Sequence, residues 1–523
     1  MTDSLNLPQP VTSRRTLLLG GLAAASTLAL AACSKDPIVS ARSIATAPSL
    51  TPAAGQKVVT RSLVAKPTTL DLGGVTVDTW AYGNTVPGPL LRANAGDMLR
   101  IPLDNQLPED TTIHWHGIRL RNVADGVPGQ TQNPIKPGSS YTYEFIAPDP
   151  GTYFFHPHVG VQFDRGLYAP LIIDDPAEPR DYDAEWVVVL DDWIDGTGTT
   201  PDEVFAKLTG GKGAGMSHGG MGHGGMGGGD ESSKSGKTGK TGEGDTGEMG
   251  HGGMGGMGGK SPFGDAGDVV YPHYLVNGRT PADPEVLSAK PGQRVRIRVI
   301  NAGADTIFTV ALGGHEMRVI ATDGWPVKPV MTDAFHIGMG ERYDVEVTLG
   351  DGVFPLVAVP FGKKGVARAL VRTGPGRAPA ADAIPAEFKR RVLLGTDLKP
   401  AESARLKPKD PDDQQMLHLS GQMRPYSWEI NGKPFGKNTP LILKRGNRTR
   451  LQMMNMTMMT HPMHLHGHTF ALPNGLRKDT VLIKPMGSVY VDFDADNPGD
   501  WMAHCHNIYH AEAGMMIALN YAK

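Results

Sequence analysis

Four histidine pairs recur along the chain at the spacing i, i+2: His114-Trp115-His116, His156-Pro157-His158, His464-Leu465-His466 and His504-Cys505-His506. In a strand, side chains two residues apart share a face, so each pair sets two imidazoles side by side. A single pair often marks no more than a half-exposed strand. Four pairs hold eight of the 18 histidines, two pairs early in the chain and two late, and read as one site shared between its end domains. Imidazole nitrogen suits copper, zinc, iron and nickel alike.

Cys505 narrows that choice. His461, Cys505, His510 and Met515 together supply two imidazoles, one thiolate and a weak thioether, the donor set of a blue-copper electron-transfer site. Three of the four lie between Cys505 and Met515, as a loop folded over one metal would place them; His461 arrives from an earlier strand. For Met515 the alternative is simple packing beside Met516. Zinc fingers need more thiolates than this chain has, since its only cysteines are Cys33 and Cys505. The same count leaves no disulfide framework, and a lone thiol in an oxidising compartment is a liability unless a metal occupies it.

Such ligands need strands to hold them. Aliphatic and polar residues alternate through Arg294-Val295-Arg296-Ile297-Arg298-Val299, and 67 glycines and 42 prolines punctuate the chain, a pattern of many short antiparallel strands. At 523 residues the chain exceeds one core, and three domains of roughly 150 residues are expected. Loop-like compositions at Asp174-Asp175-Pro176 and Gly374-Pro375-Gly376 place them at 57–175, 180–385 and 389–523. Lys+Arg 51 against Asp+Glu 54 leaves no basic excess, so nucleic acid is not an expected partner.

Two segments stand apart. Residues 1–33 carry Arg14-Arg15 and an apolar run ending in small residues; they resemble a twin-arginine export signal, and Leu30-Ala31-Ala32-Cys33 resembles a lipobox that would lipidate Cys33, with an ordinary signal-peptidase site at Ala29-Leu30-Ala31 and free secretion as the alternative. An exported protein of the cell envelope, periplasm or exterior is expected, joined to any anchor by a flexible tether at 34–56. Within the middle region, 210–260 scatters methionines and histidines, among them Met216, His218, Met254 and Met257, between glycines. Too few branched apolar residues are present to offset the entropy of ordering it, so it reads as a disordered insertion suited to soft copper(I), with a plain spacer as the alternative.

In order, His-Trp-His-Gly, His-Pro-His, His-Pro-Met-His-Leu-His-Gly and His-Cys-His-x₃-His-x₄-Met resemble the motifs of the multicopper oxidases, the laccase-like enzymes, across the whole mature chain. Pro87-Gly88-Pro89-Leu90-Leu91-Arg92 and Gly340-Glu341-Arg342-Tyr343-Asp344-Val345 agree. The resemblance implies an all-β fold of three cupredoxin-like Greek-key β-sandwich domains and four copper ions. It implies a type 1 copper on His461, Cys505, His510 and Met515, a type 2 copper on His114 and His464, and two type 3 coppers on His116, His156 and His506 and on His158, His466 and His504. Asp125 matches the family's acid beside the cluster. Glu512 is similar to the carboxylate in the His-x-Glu-Ala-Gly pattern of fungal laccases, whereas many bacterial members place theirs one residue earlier, where this chain has Ala511. For Glu512 a structural hydrogen-bond acceptor is the alternative to a proton relay.

A phenol or copper(I) yields one electron at a time and dioxygen needs four, which explains an entry site feeding a cluster. The expected function is oxidation of copper(I), or of phenols, with dioxygen as acceptor, for copper tolerance, in a monomer. Methionines 453, 454, 456, 458, 459 and 463 favour copper(I), with core packing as their alternative. The other readings are a general laccase or ferroxidase, and, from another class, an exported copper-binding or electron-transfer protein without oxygen chemistry. A complete cluster ligand set argues against the last.

Overall fold

The computed structural model describes residues 48–211 and 262–522. The export motif, Cys33, most of the tether and nearly all of the Met/His-rich insertion lie outside the described residues.

Strands form where apolar side chains alternate with polar ones. Met98–Asn105 buries its alternate residues and pairs antiparallel with Ser140–Ile146. The strands assemble into six sheets, two for each of three cupredoxin-like Greek-key sandwiches. In the middle sandwich one sheet runs His273–Val276, Ala184–Trp193, Arg294–Asn301, Arg342–Thr348, Met317–Thr322, Trp325–Thr332. The third repeats this order with Tyr426–Ile430, Asp413–Met423, Arg448–Asn455, Ser488–Asp494, Phe470–Ala471 and Arg477–Lys478.

One detail differs from the sequence expectation, and a second could not be read from it. Strand pairing is mixed: Ala184–Trp193 runs parallel to Arg294–Asn301, and Asp413–Met423 parallel to Arg448–Asn455, because a Greek-key crossover returns the chain in the same direction. Nor is the arginine face of Arg294–Asn301 solvated beyond its first residue. Arg296 and Arg298 are buried on Asp344, with Glu178 and Glu185 completing the ion pairs.

The second sheets of the end sandwiches carry the histidines. In the first, His114–His116 pairs with Gly151–His156 so that His114 faces His156; in the third, His461–Leu465 pairs with Asp500–Cys505 so that His464 faces His504 and Met463 faces Cys505. The period of two divides labour along each strand. Trp115, between His114 and His116, turns inward onto Tyr143, Phe145 and Phe155, with ring centroids 4.8–5.6 Å apart. Cys505 likewise turns into the core of the third sandwich while His504 and His506 face the other way.

Candidate metal centres

The thiol site is assembled from a strand start, a strand end and one helical turn. Cys505 Sγ lies 3.6 Å from His461 Nδ1 and 3.7 Å from His510 Nδ1, and the two nitrogens are 3.2 Å apart. His510 sits on Ile508–Glu512, a turn capped by Asn507, whose side-chain oxygen accepts from the N–H groups of Tyr509 and His510. Met515 is fully buried: its N–H donates to His510 O, and its carbonyl accepts from Cys505 N–H, drawing the loop closed. The outer nitrogens are held as well, His461 Nε2 by Thr457 Oγ1 at 2.8 Å and His510 Nε2 by Asp268 Oδ2 at 3.0 Å. Burial opposes a charge on His510, but Asp268 and the Cys505 thiol outweigh it and push the imidazole up to about 10.

The eight paired histidines converge between the first and third sandwiches, all nearly inaccessible. In five of them the outer nitrogen meets an acceptor: His114 Nδ1 meets Asp125 O (3.0 Å), His464 Nδ1 meets Asp479 O (3.0 Å), His466 Nδ1 meets Asp125 Oδ2 (3.0 Å), His504 Nδ1 meets Cys505 O (2.8 Å) and His156 Nδ1 meets Pro157 O (2.9 Å). Each of those contacts assigns the proton to Nδ1 and leaves Nε2 a bare lone pair. Lone pairs then face one another: His114 Nε2 and His464 Nε2 at 3.4 Å, His466 Nε2 and His504 Nε2 at 3.0 Å. His116 uses the opposite edge, with Nε2 on Asp479 Oδ1 (3.2 Å) and Nδ1 turned to His506 Nε2 (3.1 Å). His156 Nε2 and His158 Nε2 are buried without a partner. Bare lone pairs packed together are unfavourable unless cations lie among them, so the donor set fits bound metal. Burial and neighbouring imidazoles hold His116, His156, His158, His466 and His506 well below the usual histidine range, and His504 at about 3; the neutral ring is the ligand form.

Multicopper oxidase family profiles match residues 64–178, 250–375 and 406–523. The multicopper oxidase MmcO of Mycobacterium tuberculosis is 44% identical, over 97% of this chain and 96% of its own. A copper resistance protein A homolog of Pseudomonas syringae is 30% identical, over 82% and 87% of the two chains. This chain belongs to the multicopper oxidases. Among solved structures, the multi-copper oxidase from Pseudomonas thermotolerans superposes with a TM-score of 0.64 at 25% identity, covering 89% of this chain and all of the other. Fet3p, a multicopper oxidase that functions in iron import, shares the fold with a TM-score of 0.70 at 20% identity, covering 89% and 90% of the two chains. The oxidase carries copper and couples oxidation of a reductant to reduction of dioxygen.

Around the oxidase's histidines lie groups of unequal legibility. Asp125 is buried and joins two of the strands, its carbonyl on His114 and its carboxylate on His466. Glu512 touches none of the eight cluster histidines through a hydrogen bond in the structure; it lines a cavity of about 230 Å³ together with His158, Asp110 and Lys136, and burial raises its carboxyl to about 7. Sequence reasoning missed Asp479 and Asp268. Asp479 lies within 4.8 Å of His116 and His464 and could pass for a ligand, but Arg342 occupies both its oxygens, at 2.6 and 2.7 Å. Asp268 stands far from His510 in sequence, beyond the insertion, and no motif surrounds it; Tyr426 OH also donates to it, at 2.6 Å.

Proposed function

We propose that this oxidase takes electrons from copper(I), with phenols as secondary reductants, at a type 1 copper held by His461, Cys505, His510 and Met515. His114 and His464 would hold a type 2 copper. His116, His156 and His506 would hold one type 3 copper, and His158, His466 and His504 the other, four ions in all. Bound there, copper would supply one-electron transfer at the thiolate and multi-electron reduction of dioxygen to water at the shared cluster.

The observation that carries this reading is the strand end His504-Cys505-His506. One residue turns its sulfur into the third sandwich, and its two neighbours turn their nitrogens into the cluster, within 3.0 and 3.1 Å of His466 and His116. A few covalent bonds therefore separate electron entry from the oxygen site. Asp125 orients His114 and His466 and moves protons at their edge; Glu512 delivers protons through the cavity that reaches His158. Asp268, a carboxylate on the outer nitrogen of His510, favours a cationic reductant over a neutral phenol at that edge, in keeping with relatives named for copper resistance.

The proposal extends to three domains at 57–175, 180–385 and 389–523. Sheet membership supports them, with the connecting Val392–Leu393 lent to the middle sandwich, where it pairs with Ala334–Ile337. It extends also to twin-arginine export, a lipid anchor on Cys33, a monomeric state, and copper(I) capture by 210–260. No helix among the described residues is long and apolar enough to cross a membrane. Oxygen uptake on adding copper(I) or a phenol to the copper-loaded protein tests the reading, and no uptake with either reductant would refute it.

A further inference from the structure

The middle sandwich supplies none of the twelve proposed ligands, yet it reaches the cluster through one turn, Gly340-Glu341-Arg342. Gly340 is in the left-handed region (φ 81°), and a Cβ there would stand 2.9 Å from both His116 Cε1 and His506 Cδ2. Two residues on, the fully buried Arg342 guanidinium grips both oxygens of Asp479 in the third sandwich, and its Nε donates to Thr152 O in the first, at 3.0 Å. One side chain thus bridges all three sandwiches. The space it fills accounts for the last residue of His114-Trp115-His116-Gly117: a Cβ on Gly117 would lie 2.5 Å from Arg342 Nη2 and from Asp479 Oδ2.

Asp479 hands this grip on to the histidines. Its Oδ1 lies 3.2 Å from His116 Nε2 and its carbonyl 3.0 Å from His464 Nδ1. Thr480 Oγ1, which donates to Asp479 Oδ1, stands at the same 3.2 Å from His116 Nε2, and together the two acceptors place the ring proton on Nε2 and leave Nδ1 bare toward His506. From the other side Asp323 accepts from the N–H groups of Asp479 and Thr480, at 3.3 Å each, and from Arg342 N–H at 2.9 Å. A carboxylate this deeply buried needs a matched cation, and Arg342 supplies it through contacts to both oxygens, at 2.6 and 2.7 Å. Lysine could not replace it, because a single ammonium cannot make the bidentate contact and reach Thr152 as well.

We infer that Arg342 is a positioning residue for the copper cluster: the middle sandwich acts through its grip on Asp479 to fix the tautomer of His116 and the orientation of His116 and His464. The inference rests on the ligand reading above. The thiol site has no contact with this grip, so its colour serves as an internal reference.

The test compares Arg342→Met, Arg342→Lys, Asp479→Asn and the double variant Arg342→Met with Asp479→Asn, each expressed as the full chain and loaded with copper. The readouts are copper per chain, the electron paramagnetic resonance of the type 2 copper, the blue absorption and the thermal midpoint. Loss of an outer-shell partner of this kind weakens metal binding about 10- to 100-fold. Each single variant should keep its blue absorption, lose cluster copper to a chelator at concentrations about 10- to 100-fold lower than the wild type, and show altered type 2 hyperfine splitting. The double variant removes the charge of Asp479 together with that of Arg342 and leaves Asp323 to Lys478, so it should regain part of the thermal stability without regaining the cluster. Wild-type copper retention and type 2 spectrum in a folded Arg342→Met or Arg342→Lys protein would overturn the inference. So would a double variant whose cluster recovers along with its stability, which would make Arg342 a structural ion pair only. If Arg342→Met does not fold, Arg342→Lys and the double variant decide the matter on the same readouts. His464→Ala separates the two layers: full cluster copper in that variant would defeat the ligand map itself, whatever Arg342 does.

Discussion

Replacing Asp268 by Asn should raise the type 1 potential by about 100 mV. The carboxylate lies 3.0 Å from His510 Nε2, and His510 turns its Nδ1 to Cys505 Sγ, so the ring alone stands between Asp268 and the proposed metal. Adding the width of an imidazole and one metal–nitrogen bond puts the charge roughly 6–7 Å from the copper. Oxidised copper carries one more positive charge than reduced copper, so a nearby anion stabilises the oxidised form. At an effective dielectric of about 20, a unit charge at that distance contributes about 2.5 kcal/mol. With 59 mV for each tenfold change in a one-electron couple, this corresponds to about 100 mV. Asn keeps an acceptor for the His510 N–H and the donor from Tyr426, so the packing is preserved while the charge is lost. The assay is a redox titration of the blue absorption, with Tyr426→Phe as the control that removes a hydrogen bond but no charge. KM for copper(I) should also rise while KM for a phenol stays within about twofold, because only a cation would feel the lost carboxylate. A fall in potential, or a rise below about 30 mV, would refute the electrostatic reasoning.

Cys505→Ser should leave a folded protein with no blue absorption and no oxidase activity, read from the visible spectrum and oxygen uptake; retained colour would reject the thiolate as a ligand. Met515→Leu removes a weak thioether donor that favours oxidised copper, and the titrated type 1 potential should rise. Asp125→Asn should retain copper yet lower turnover about 10- to 100-fold, since the amide accepts from His466 but does not pass on a proton as a carboxylate does. Replacing Met216, Met221, Met226, Met249, Met254 and Met257 by Ser at constant length should slow oxidation of limiting copper(I) and spare phenol oxidation. Equal rates at every copper(I) concentration would make the stretch a spacer.

The sequence by itself determined the candidate donors. Metal chemistry needs particular atoms, and the i, i+2 spacing of His114 and His116, or of His504 and His506, states which of them share a strand face once the strands exist. The same alternation foretells that Cys505 must point away from its neighbours, so the division into a thiolate site and a histidine cluster is legible without coordinates. Asp125 was within reach because it follows its motif closely in the chain. What surrounds the donors was decided by the tertiary structure alone. Asp479 has no spacing relation to His116, from which it is separated by 363 residues, and Asp268 meets His510 across 242. Arg296 and Arg298, which alternate with aliphatic residues in the sequence, are buried because Asp344, Glu185 of a neighbouring strand and Glu178 of a connecting bend converge on them. The physical reason is common to these cases. A ligand is recognisable by what it is, whereas a positioning carboxylate or a bridging arginine matters only through the distance and burial of its partner, and those exist only after the three sandwiches have packed.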